Sequence, residues 1–166
     1  MIIRSATPDD MDHVARLCWG YRDVLTERMS HAPGMVEKYY AKDAYAALIA
    51  DLPRVHARPR GDILLAVLDA PVGCAMYYPI APEVTEIKRI YVAPEGRGCG
   101  AAQALIVEAK RRAAADGYRR MVLDTADTLT EAITLYGKMG FTPCAPFYEP
   151  DPAFAPHLRF FDTALA

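Results

Sequence analysis

Residues 86–102 read Glu86-Ile87-Lys88-Arg89-Ile90-Tyr91-Val92-Ala93-Pro94-Glu95-Gly96-Arg97-Gly98-Cys99-Gly100-Ala101-Ala102, and this stretch decides the fold. Its first seven residues hold Ile87, Ile90, Tyr91 and Val92, which suits a strand over 86–92. Pro94 and the glycines end that strand. From Ala101 to about Asp116 the apolar residues Leu105, Ile106, Ala109 and Ala113 recur at helical spacing, and Gly117 supplies a stop. A strand, a glycine-rich loop and a helix in immediate succession form a natural anion site. The first amides of a helix lack intrahelical partners and carry roughly half a positive charge. Gly98 and Gly100 allow a phosphate to approach the backbone, Ala102 keeps the next turn small, and Arg97 offers a charge-assisted contact. Arg97, Gly98, Cys99, Gly100, Ala101 and Ala102 are therefore the candidate pyrophosphate loop. Two other phosphate loops do not fit. No Lys-Ser or Lys-Thr follows the glycines, and Gln103 stands where a dinucleotide fingerprint needs its third glycine.

Working outward, Arg120 to Asp124 reads as a strand, and Thr128-x-x-Glu131 as a capping box. The box opens a helix with the stripe Ala132, Leu135, Tyr136 and Met139, which Gly140 ends. Phe141 starts a further strand, and a proline-rich loop leads to a last one near Leu158–Thr163. On the other side, Val72–Tyr78 and Asp62–Leu68 form a hairpin around Asp69-Ala70-Pro71. Residues 35–52 read as one helix with Tyr45, Leu48, Ile49 and Leu52 on one side. Thr7-Pro8-Asp9-Asp10 opens an earlier helix with Met11, Val14, Ala15 and Cys18 in a stripe, and Ile2-Ile3-Arg4 is a first strand. Early hairpins followed by strand–helix alternation give a mixed α/β domain, a mixed sheet with helices on its faces. No repeat, low-complexity tract or linker divides residues 1–166, so one domain is expected.

The segment from Glu86 to Ala102 resembles the acetyl-CoA-binding motif of the GNAT superfamily of N-acetyltransferases. A second element, Ala132-Ile133-Thr134-Leu135-Tyr136-Gly137-Lys138-Met139-Gly140-Phe141, is similar to that family's A-x-x-L-Y-x-x-x-G-F motif. The bracketed segment covers about one third of the chain. The resemblance implies a GNAT-like fold with a central mixed, mostly antiparallel sheet. It implies that pantetheine runs beside the backbone of Ile90, Tyr91 and Val92, between two splayed strands. It also implies that Tyr136 occupies the place of the usual general acid. One departure stands out: Leu129 takes the position where the family often has an Asn that helps hold pantetheine.

Acetyl transfer to an amine needs a neutral nucleophile, a polarised thioester carbonyl and a proton for the leaving thiolate. An alkyl amine with a pKa of about 10.4 is protonated at neutral pH, so a base is required. Glu86, at the start of the cofactor strand, is the candidate base; the plain alternative is a strand-end carboxylate paired with Lys88 or Arg89. Tyr136 is the candidate acid; its plain alternative is helix packing. A backbone N–H near Ile90 or Tyr91 is placed to polarise the carbonyl. Cys99 lies at a helix N-terminus, but no histidine is near it in sequence to make it a nucleophile. Tyr77, Tyr78, Trp19, Tyr21, Tyr148 and Phe147 are aromatic residues available to an acceptor pocket.

The composition narrows the partners. Hydrophobic residues make up 52% and charged residues 24% of 166, with a formal charge of −2, ordinary globular usage without the basic surface of a nucleic-acid binder. No apolar run reaches membrane-spanning length, and residues 1–10 lack a signal-peptide layout. The four cysteines and four histidines are scattered, without zinc-site spacing, so no metal is expected. The expectation is a cytoplasmic acyltransferase with acetyl-CoA as co-substrate and a small-molecule amine as acceptor. Transfer to a protein N-terminus or lysine, and a CoA-binding regulatory module without turnover, stay open. So does a homodimer.

Overall fold

The computed structural model describes residues 1–166. Strand β1 (Ile2–Ser5) leads through a short 3-10 turn into α1 (Met11–Arg28), α2 (Pro33–Tyr40) and α3 (Lys42–Val55). Three strands follow, β2 (Asp62–Val67), β3 (Pro71–Ala81) and β4 (Val84–Val92), then α4 (Ala101–Ala115), β5 (Arg120–Ala126), α5 (Thr130–Lys138), β6 (Thr142–Pro143) and β7 (Leu158–Ala164). All seven strands join one sheet in the order β1-β2-β3-β4-β5-β7-β6. Only β4 and β5 pair in parallel; the other neighbours are antiparallel, the mixed and mostly antiparallel sheet that the sequence implies.

Helices cover both faces, which explains why β2 reads as a continuous apolar run and not as an alternation. Leu64 and Ala66 point to one face, where they meet Leu105, Ile106, Ala109 and Ala113 of α4. Ile63 and Leu65 point to the other, against Val14, Leu17 and Cys18 of α1 and Tyr45, Ile49 and Leu52 of α3. The side chain of Asp10 closes the first turn: its carboxylate accepts from the Thr7 N–H at 2.8 Å and pairs with Arg4.

Three expectations need correction. The helix read over 35–52 is two helices, because Ala41 (φ −50°, ψ 134°) is extended. The break exposes the Tyr40 carbonyl, which accepts from Nε of the buried Arg22 at 2.7 Å, a tertiary bond that local periodicity does not reveal. The Thr128–Glu131 capping box does not form. Thr128 donates instead to the Met29 sulfur, Glu131 pairs with Arg28, and α5 starts at Thr130. The strand expected from Phe141 shrinks to Thr142–Pro143, where proline has no N–H to extend the ladder.

Candidate functional site

The parallel pairing of β4 with β5 lasts for only three residue pairs, Val84–Arg120, Thr85–Met121 and Glu86–Val122. Past Glu86 the strands diverge and leave a cleft lined by Ile87, Ile90, Leu123, Leu129, Ala132 and Tyr136. The other edge of β4 stays paired with β3, with Cys74 opposite Tyr91 and Gly73 opposite Val92. Between Lys88 and Tyr91 the strand carries one residue more than β3 does, and Arg89 takes a positive φ of 51°. This β-bulge twists β4 away from β5 and re-aims the side chains beside it.

Beyond Val92 the chain turns into the glycine loop. Gly98 (φ +78°) and Gly100 (φ +79°) are both left-handed, and a Cβ on either would meet nothing within 4 Å. Glycine is required there by the backbone, and the space in front of it is open. The N–H groups of Gly98, Cys99 and Gly100 have no backbone acceptor, whereas that of Arg97 donates to the Pro94 carbonyl at 3.3 Å. The free amides thus begin one residue later than the sequence reading placed them. Arg97 keeps an exposed side chain, and Ala101 and Ala102 form the first turn of α4. The Cys99 thiol donates to the Gly96 carbonyl at 2.9 Å and has no histidine partner.

At its upper end the cleft meets a cavity of about 610 Å³ beneath α1, α2 and α3. That is the size of a small-molecule site. Tyr21, Tyr39, Tyr40, Tyr78, Phe147 and Tyr148 supply aromatic walls. Of the aromatic residues expected there, Tyr77 lies on the other face, hydrogen-bonded to Asp116, and Trp19 packs edge-on against Tyr45. Tyr39 and Tyr40 were not singled out by the sequence, since the break at Ala41 is what turns this segment toward the cavity.

Glu86 lines the cavity wall and is only 4% exposed. Its carboxylate accepts from the Tyr78 hydroxyl at 2.5 Å and from Lys88 Nζ at 2.7 Å, so the ion-paired alternative holds as well. Burial and this bond push the Tyr78 hydroxyl up to about 12. Asp124 of β5, which sequence reading missed, faces Lys88 at 3.6 Å and accepts from the Tyr148 hydroxyl at 2.7 Å. Burial by itself would lower the Lys88 pKa; Asp124 and Glu86 outweigh it and hold the ammonium above its ordinary range. Two carboxylates therefore share one lysine, leaving one net negative charge where the cleft joins the cavity. His56 Nδ1 donates to the Tyr77 carbonyl at 2.9 Å, and burial lowers its pKa to about 4, which keeps it neutral.

Tyr136 is 7% exposed, with its ring packed against Phe141 and Phe161 and its edge on the cleft. Burial, with the charge of Asp124 added, raises its pKa, so the phenol keeps its proton. Leu129 lines the same cleft with an apolar side chain, and nothing about its surroundings reproduces the polar contact an Asn would make.

Strand β4 thus parts from β5 past Glu86, carries a bulge at Arg89 and leads into the loop of free amides, while the aromatic cavity shares part of the cleft's lining. The acetyltransferase (GNAT) family model matches residues 22–141, and the chain belongs to this family. An uncharacterized N-acetyltransferase of Schizosaccharomyces pombe is 37% identical over 103 residues, 60% of this chain and 63% of that protein. The chain thus spans less than two thirds of the length of this curated relative. Among solved structures, a GNAT-family acetyltransferase from Staphylococcus aureus superposes with a TM-score of 0.73 at 14% identity, over 99% of each chain. The PaiA N-acetyltransferase from Thermoplasma acidophilum, determined in complex with coenzyme A, gives 0.69 at 16% identity over 98% of each chain. At these identities the two structures establish the shared fold. No helix of the structure is long and apolar enough to cross a membrane.

Proposed function

We propose that this chain transfers the acetyl group of acetyl-CoA directly to a primary amine of a small molecule, with Glu86 as general base and Tyr136 as general acid. One observation carries the reading: strand β4 joins the free amides of Gly98 to Gly100, past its C-terminal end, to a carboxylate-bearing aromatic cavity, and between them its edge toward β5 is unpaired. The residues suit the co-substrate. The loop offers donors to a pyrophosphate, and the edge of Ile90, Tyr91 and Val92 offers main-chain groups to an amide-containing arm. The thioester supplies the activated acetyl group.

The protein's own contribution follows from the charges. An amine enters as an ammonium ion, drawn by the net negative charge of Glu86, Asp124 and Lys88. Glu86 takes a proton from it, directly or through a water molecule, and the nitrogen becomes nucleophilic. As the new C–N bond forms and the C–S bond breaks, Tyr136 gives its proton to the departing sulfur. The attacking nitrogen gives up its second proton, which restores Tyr136, and the proton held by Glu86 passes to solvent, so the products are an N-acetylated amine and free CoA thiol. A phenol that keeps its proton until the thiolate departs suits this role. The aromatic lining and the volume of about 610 Å³ suit a small acceptor.

The test is steady-state thiol release over an amine panel with wild type, Glu86→Gln and Tyr136→Phe. Loss of kcat in both variants by about 10²–10⁴, with CoA affinity retained, supports the assignment. Unchanged kcat in Tyr136→Phe removes Tyr136 from the chemistry, and unchanged kcat in Glu86→Gln transfers the base role to Asp124.

A further inference from the structure

Arg89 is a buried charge that the chemistry above does not use. It lines both the cavity and the cleft and is 7% exposed. The other buried charges have partners: Asp10 pairs with Arg4, Asp62 with Arg112, Glu86 with Lys88, and Arg22 with Glu37 and the Tyr40 carbonyl. Arg89 has none. Its guanidinium rests over the Tyr45 ring at 5.9 Å and touches the Met76 sulfur at 3.7 Å, and its Nε has no hydrogen-bond partner. Thioether and ring face are weak company for a charge that cannot be shed, because arginine stays protonated at any ordinary pH. A buried cation without a counter-ion is costly, by several kcal/mol on general grounds.

The backbone explains how the side chain comes to be there. The bulge at positive φ lets Lys88 and Arg89, adjacent in sequence, both line the cavity, where a regular strand would send them to opposite faces. A left-handed arginine is an uncommon conformation that the surrounding packing must hold. The cavity is then charged at two places with opposite signs. Glu86, Asp124 and Lys88 sum to one negative charge, Arg89 is one positive charge, and His56 is neutral.

We infer that the acceptor is a zwitterion, an amine that also carries a carboxylate, and that Arg89 receives that carboxylate while the amino group faces Glu86. The guanidinium has free N–H donors in the planar fork that matches a carboxylate. Amino acids are the substrate class that this charge pattern fits, and their apolar portion would lie against the tyrosines of the wall. The inference rests on the acceptor-site reading of the cavity and narrows it.

The experiment uses matched pairs, each of the common α-amino acids and the straight-chain ω-amino acids against its own methyl ester, which keeps the amine and removes the anion. Each pair is measured twice with the wild-type protein, by thiol release from acetyl-CoA and by calorimetric binding in the presence of CoA. At least one acid should exceed its ester by at least about tenfold, the value of a charge-assisted pair. In Arg89→Gln that ratio should fall to about one, and in Arg89→Lys, which keeps the charge and loses the fork, to an intermediate value. If Arg89→Gln fails to fold by circular dichroism, Arg89→Lys carries the comparison. Esters turned over as well as acids throughout would overturn the zwitterion inference and leave the acetyltransferase reading standing. Thiol release from no amine would count against the acetyltransferase reading, and the calorimetric ratios would then decide the carboxylate site separately. Absence of an acid preference in every pair, or an undiminished preference in Arg89→Gln, refutes the role of Arg89.

Discussion

Replacing Gly100 by alanine separates the backbone requirement of the loop from its ligand requirement. Gly100 has φ +79° and a Cβ there would meet nothing within 4 Å, so steric clash contributes nothing. The left-handed conformation costs an L-residue about 1–2 kcal/mol, and alanine recovers about 0.4–1 kcal/mol by restricting the unfolded chain. The net loss is about 1 kcal/mol, or about 2–4 °C in melting temperature for a chain of this size. Gly117, at the far end of α4, is the matched control. It also is left-handed (φ +94°) with nothing within 4 Å, and α4 separates it from the loop by 15 residues. Gly117→Ala should show the same thermal loss. The two should part in CoA binding. On the proposed reading a phosphate occupies the open space before Gly100, and a methyl group there displaces it from one or two amides. At about 1.5 kcal/mol or more for each charge-assisted bond, the CoA Kd should rise at least about tenfold in Gly100→Ala and stay unchanged in Gly117→Ala. Paired melting curves and calorimetric titrations measure both quantities. Equal CoA affinity in the two variants would refute the phosphate-loop assignment, whatever the melting temperatures.

Gly96→Ala should destabilise for a different reason: the new Cβ would lie 2.6 Å from Cγ2 of Val72, and such overpacking costs about 1–3 kcal/mol, readable by urea unfolding. His56 should make stability fall with acidity. Its pKa drops from an ordinary 6.5 to about 4 on folding, so above 6.5 neither state is protonated, and between 6.5 and 4 only the unfolded chain gains the proton. Stability should thus decline by about 2 kcal/mol between pH 7.5 and 5, and His56→Gln should flatten that part of the profile in urea titrations. A slope unaltered in the variant would show that the titrating group lies elsewhere. Asp124→Asn should raise KM for cationic amines by about tenfold, because it removes the net negative charge shared with Glu86 and Lys88. An unchanged KM would leave Asp124 with only its bond to Tyr148.

The strand–loop–helix part of this fold was legible in the sequence because it is local. Strand, loop and helix follow one another without interruption, and the two glycines announce the left-handed turns they make. Tyr136 was found from its motif and its spacing, yet its raised pKa comes from Phe141, Phe161 and Asp124, which burial brings around it. The acceptor half was much less legible. Tyr40 and Tyr39 reach the cavity only because the chain breaks at Ala41, and that break answers to a hydrogen bond from Arg22, eighteen residues earlier. Asp124 lies in a strand that reads as plain core; its pairing with Lys88 depends on the two facing each other across the splay. Arg89 is the hardest case, since an alternating strand assigns it to the wrong face and only the bulge turns it round. The failed capping box belongs to the same class. Thr128 and Glu131 had the right spacing, and tertiary partners at Met29 and Arg28 took both side chains.

The central claim is that the splayed cleft holds acetyl-CoA and that the adjoining cavity supplies an amine to it. Its most direct test is a calorimetric titration of acetyl-CoA into the protein, followed by free-thiol release and mass spectrometry of the products over a panel of small amines. The account predicts saturable binding, and thiol release matched mole for mole by an N-acetylated amine. Failure to bind acetyl-CoA, or thiol release without any acetylated amine, would contradict it.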